Sequence, residues 1–163
     1  MKKFKSNEII SISIIFFVLF IVTFYNMSVS IRRGRDATRK DDMSSLQKSL
    51  DTFYQKYRYF PISTSDGKIV GCFNEDPVFD KVSGRPINVS VCEWGVSKFE
   101  GVNFMPRDPY YQKGFSYKYV SDGKGYELYV SLEGKDEAEY SEATVIKNLL
   151  CGLKVCNYGR SSN

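Results

Sequence analysis

Histidine is absent from this chain, and its 163 residues hold only five prolines and four cysteines. The missing imidazole removes the commonest general base and several nucleophile arrangements. No cysteine stands in the close C-x-x-C pairing that builds a zinc ribbon. No glycine-rich loop joins a strand to a helix in the way a phosphate cradle requires, and neither an internal repeat nor a low-complexity tract is present. These absences argue against an enzyme. The net charge of +4 gathers largely beside one apolar run, so it marks no basic face and indicates no nucleic-acid partner.

That apolar run is the strongest positive feature. Residues 9–31 carry no charge, a length sufficient to cross the roughly 30 Å of a bilayer's hydrocarbon. Lys2, Lys3 and Lys5 precede it, and Arg32, Arg33, Arg35, Arg39 and Lys40 follow, so charge asymmetry alone leaves orientation open. Asn26-Met27-Ser28-Val29-Ser30 is a poor small-residue cleavage site, which favours a retained single-pass anchor over a removed signal peptide. All four cysteines, Cys72, Cys92, Cys151 and Cys156, lie beyond the run. Disulfides among them suit an oxidising compartment, which puts the bulk of the chain outside the plasma membrane and the N-terminus in the cytoplasm. Of three possible pairings, Cys72 with Cys92 would contribute about 3 kcal/mol and Cys151 with Cys156 about 2 kcal/mol in the chain-entropy treatment. Four buried thiols acting as small apolar residues are the alternative.

Helix-favouring sequence continues without a proline until Pro61, and Gly34 is its one soft point. Met43, Leu46, Leu50, Phe53, Tyr54 and Tyr57 recur at helical steps and predict one core-facing stripe. Five segments follow: a short basic leader (1–8), a membrane helix (9–31), its amphipathic continuation (32–60), a head (61–156) and a frayed tail (157–163). Residues 62–105 read as a variable loop region whose cysteine-bearing pieces, 68–73 and 87–94, a disulfide could tie into a small hairpin or loop excursion. Phe115, Tyr117 and Tyr119 alternate before the turn Asp122-Gly123-Lys124-Gly125, and Tyr126, Leu128, Val130 and Leu132 alternate after it, which predicts an antiparallel hairpin. An acidic connector follows at 133–142. Val145, Ile146, Leu149, Leu150 and Leu153 then predict a helix over 143–153.

The order of these pieces resembles type IV pilins and the pseudopilins of type II secretion, the major pseudopilin in particular. The likeness rests on Arg35-Asp36-Ala37-Thr38-Arg39 through Leu46, Leu50 and Phe53-Tyr54 to Tyr59-Phe60-Pro61, and on Met105-Pro106-Arg107-Asp108-Pro109-Tyr110 ahead of the tyrosine-rich hairpin. It implies an α+β fold, with a long N-terminal helix packed on a small antiparallel sheet. The implied role is a membrane-anchored filament subunit. Its partners would be other pilin-like subunits, pilus or secretion-platform assembly proteins and membrane lipid, with Ser11, Ser13 and Thr23 making close interhelical contacts. Phe4 and Glu8 fit the family's assembly spacing, but Lys3 stands where the family has the glycine its processing peptidase needs, so the leader is expected to stay uncut. Lys3 or Lys5, of the same or a neighbouring chain, would then neutralise Glu8. A solvated acid in the first helical turn is the bland alternative for Glu8. Asp136, Glu137, Glu139 and Glu142 fall near the position of the major pseudopilin's calcium loop. The glycine and aspartate pattern of that loop is missing, so a solvated connector is expected and no cofactor. A non-polymerising anchored protein displaying a binding or adhesion head is the competing role. The direct joining of span to amphipathic helix, without a Pro/Gly/Ser stalk, counts against it.

Overall fold

The structure is a computed structural model and describes residues 6–73, 75–82 and 84–162. It is α+β: a long N-terminal helix, α1 (Ser6–Tyr57), and small antiparallel sheets, a pilin-like architecture. The backbone forms two compact units, Met1–Arg35 and Asp36–Asn163, and α1 contributes to both.

In the first unit the large apolar side chains from Ile9 to Tyr25 are exposed. The apolar window of α1 has a mean hydropathy of 2.4 with none of it buried, and α1 is long and apolar enough to cross a membrane. Three of its hydroxyls are satisfied within the helix. Ser11 donates to the Asn7 carbonyl at 2.9 Å, Thr23 to Leu19 at 2.7 Å and Ser28 to Phe24 at 3.1 Å. Such back-bonding is the local way to place a hydroxyl among hydrocarbon. Gly34 leaves the helix uninterrupted.

In the second unit the stripe on α1 forms the floor of the core: Met43, Leu46, Leu50 and Phe53 are fully buried, and Tyr57 nearly so. Tyr54, expected on this stripe, lies at its margin, 40% exposed and stacked on Phe60 at 4.6 Å. The helix stops at Tyr57, three residues short of the expected end. Arg58 turns into the left-handed region (φ 64°) and donates to the Tyr54 carbonyl at 2.8 Å. The following elements are β1 (Ile62–Ser63), β2 (Ile69–Cys72), β3 (Ser90–Val91), β4 (Lys118–Ser121), β5 (Tyr126–Val130), α2 (Glu142–Ile146), β6 (Leu150–Cys151), β7 (Lys154–Val155) and β8 (Tyr158–Ser161). They make sheets of order β1-β2-β3, β4-β5-β8 and β6-β7, and every pairing is antiparallel.

The expected hairpin is β4 and β5, with Tyr119 opposite Leu128. Strand alternation sends Tyr117, Tyr119, Tyr126, Leu128 and Val130 into the α1 core. Asp122 shapes the turn by accepting the Lys124 amide at 2.9 Å, and Gly123 supplies the positive φ of 91°.

In the region 62–105, read as a variable loop, the pieces 68–73 and 87–94 are tied together as expected: β2 pairs with β3, and the Cys72–Cys92 disulfide joins them. Two expectations are corrected. The helix expected over 143–153 is only the five-residue α2, after which Asn148 adopts φ 51° and the chain turns into the β6–β7 hairpin. The second disulfide explains this, since Cys151 and Cys156 sit 5.2 Å apart at Cα, closer than residues five apart can come on an α-helix. The tail expected to fray is β8, which completes the sheet beside β5. Asn157 aims that strand: its side chain accepts the Leu132 amide at 2.7 Å and donates to the Leu132 carbonyl at 2.8 Å.

Candidate functional site

Two features of α1 stand out chemically: the exposed apolar face of the first unit, and a charged cluster on the first turns that belong to the second. Arg39, counted in sequence among the cations flanking the span, is wholly buried. Its Nε and Nη2 donate to the two Asp108 oxygens at 2.8 and 2.9 Å, a bidentate pair. Its Nη1 donates to Asp36 and to Glu133, each at 2.7 Å. Asp36 in turn accepts the Glu133 and Gly134 amides at 2.9 and 3.0 Å, and Asp108 accepts the Tyr110 amide at 2.7 Å. The guanidinium also lies over the Phe115 ring, 4.9 Å from its centroid.

The physical result is a knot. One cation on α1 gathers the 105–110 loop and the start of the acidic connector, and two of the three carboxylates it meets, Asp36 and Asp108, are further fixed by chain amides. Burial alone would depress the Arg39 pKa, but the hydrogen bonds it donates to Asp108, Glu133 and Asp36 outweigh it and hold the guanidinium above its ordinary value. Beside it, Tyr117 donates its hydroxyl to Asp42. Burial first, and the Asp42 charge second, push the Tyr117 hydroxyl well above the ordinary tyrosine range, so it remains a donor. Burial likewise raises the Asp42 carboxyl, against the lowering effect of that hydrogen bond.

Two of the calcium candidates have a cationic partner. Glu137 and Glu139 accept Lys40 at 2.9 and 3.0 Å, which raises the lysine and lowers Glu139. Among the described residues no cluster of acidic or cysteine side chains is arranged to hold a metal ion, Asp136 included. Glu8 lies exposed in the first turn of α1. Phe4 falls outside the described residues, as do Lys3 and Lys5, so the assembly contact expected of them has no geometry to report. The four cysteines pair as Cys72–Cys92 and Cys151–Cys156. Compared with protein-family models, with curated proteins and with solved structures, the chain matches none.

The Arg39 cluster went unread in sequence, although a signal existed. Stepping back from Met43 and Leu46 by three and four residues reaches Arg39 and then Asp36, so both sit on the core-facing stripe, where a charge must find a partner. Arg39 uses Nε and both terminal nitrogens on carboxylates, leaving it to organise loops rather than to meet a substrate.

Proposed function

We propose that this chain is a structural subunit of a type IV pilus or pseudopilus-like filament, held in the membrane before assembly and joined to its neighbours through the apolar part of α1. The observation that carries the reading is the uniform exposure of that part. A helix apolar on all sides, with none of its window buried, must lie in lipid or against other apolar helices. Filament formation exchanges the first surrounding for the second and requires no bond chemistry. The joining of this segment, without a flexible stalk, to the helix that floors a disulfide-tied sheet head supports the same reading.

In this reading the head lies outside the plasma membrane, and the partners are other pilin-like subunits together with pilus or secretion-platform assembly proteins. The test is mechanical shearing of cells that express the full chain, followed by detection of the chain in the sheared fibres. Recovery with other pilin-like subunits is expected, with Glu8→Gln lowering that recovery. A chain found only as a detergent-soluble monomer in the membrane fraction would overturn the filament role and favour an anchored binding protein.

A further inference from the structure

We infer that the loop from Arg107 to Phe115 and the tip of the β6–β7 hairpin form a surface that lies on anionic phospholipid headgroups of the bilayer holding α1. The inference rests on the membrane reading of α1 and adds a second, reversible contact made by the head. Three exposed cations are grouped there. Arg107 stands over the Tyr111 ring at 4.5 Å, Lys113 over Tyr110 at 4.2 Å and Lys154 over Phe115 at 5.9 Å. Among the described residues none of the three cations forms an ion pair, in contrast to Lys40, Lys56, Lys68 and Lys147. Leu153, at the hairpin tip, is 80% exposed although nothing in the turn forces an apolar residue there. Tyrosine rings, flexible cations and a projecting aliphatic side chain are the components that settle at a lipid–water interface.

The patch is held together as one piece. Leu153 donates its amide to the Gly114 carbonyl at 2.6 Å, and Phe115 bridges Gly152. Gly152 is required there, with φ 75° and a backbone approach that a Cβ would violate at 2.1 Å from the Gly114 oxygen. The loop is pinned to α1 through Asp108 and Arg39. Asp36, in the same knot, follows residue 31 by only five residues, so chain length holds it within about 18 Å of the end of the apolar run. The carboxylates of the knot do not oppose an anionic surface strongly, because Asp36 and Asp108 are buried and Glu133 is paired with Arg39; beside the knot, Glu137 and Glu139 are engaged by Lys40. Lipid charge complements the three cations, each of which gains most near the surface.

The full chain in lipid nanodiscs tests this. Amine acylation of Lys113 and Lys154, read by mass spectrometry, is expected to slow several-fold when phosphatidylglycerol is added to phosphatidylcholine discs. Lys124 serves as the control, because it lies in the β4–β5 turn, outside the patch, where Gly123 accepts the Phe60 amide. High salt restores the faster rates. In a Leu153→Trp chain carrying Trp94→Phe, brominated phosphatidylglycerol quenches the introduced indole, and adding Arg107→Gln, Lys113→Gln and Lys154→Gln abolishes the quenching. Equal rates and no quenching in an inserted chain overturn the surface alone. A chain that fails to enter the discs overturns the membrane reading and this inference with it.

Discussion

A buried guanidinium surrounded by carboxylates is held by geometry more than by net energy, so its removal is costly for a specific reason: Asp36 and Asp108 would stay behind, buried and charged. Arg39→Ala is therefore expected to destabilise the head by about 3–5 kcal/mol in denaturant unfolding. Lys40→Ala, which breaks a pair whose lysine side chain is 24% exposed, should cost about 0–1 kcal/mol. A comparable loss from both variants would show that the Arg39 knot is an ordinary surface network. Asp42 makes a second residue-level prediction. Its carboxyl is raised from 3.8 by burial, so the folded state binds its proton more tightly than the unfolded state does. Its contribution to stability is then fully present below the unfolded value and is lost as pH rises through the folded value. Asp42→Asn, which mimics the protonated form and still accepts from Tyr117, should raise stability at pH 7 relative to the parent and remove the difference at pH 3. Melting curves across that range measure it. The lowered carboxyls of Asp66, Asp122, Glu127 and Glu139 act in the opposite direction in both proteins and so drop out of the comparison.

Among the elements, those set by local pattern were legible, and those set by a crosslink or a distant partner were not. The 3.6-residue recurrence of Met43, Leu46, Leu50 and Phe53 named the helix face that is buried, and alternation on both sides of Asp122-Gly123 named β4 and β5 with their inward residues. The same helical recurrence misled at 143–153. There Ile146 and Leu153 are 82% and 80% exposed, and the short Cys151–Cys156 loop overrides periodicity. Its spacing of five held the warning, because a helix cannot bring such a pair within disulfide reach. β8 carried no warning of that kind: Tyr158-Gly159-Arg160-Ser161 has little strand propensity of its own, and its order comes from the open edge of β5 and from Asn157 on Leu132. Ending the chain after Asn157 thus removes a ladder strand and the buried Tyr158, for a loss of at least about 2 kcal/mol. A chain shortened there that melts at the parental temperature would return residues 158–163 to the status of a tail.

At the scale of the whole molecule, the two units obey different solvents. The Asp36–Asn163 unit keeps its apolar residues inside and ties its strands with two disulfides, as a small domain in water must. The Met1–Arg35 unit exposes isoleucine and phenylalanine on every side and satisfies Ser11, Thr23 and Ser28 internally, which is the arrangement that hydrocarbon demands. A single substitution can separate these requirements. Val18 lies mid-run and is 52% exposed, so Val18→Lys disturbs no packing among the described side chains of its unit. In lipid the same charge costs about 2.5–3.5 kcal/mol at the centre of a span. The variant is expected to lose membrane retention by one to two orders of magnitude in alkaline extraction, while both disulfides resist alkylation as in the parent. Retention equal to that of the parent would mean that residues 9–31 are not in contact with hydrocarbon, and the filament assignment would fall with the anchor. A retained anchor with exposed thiols would instead mean that the head depends on membrane insertion in order to fold.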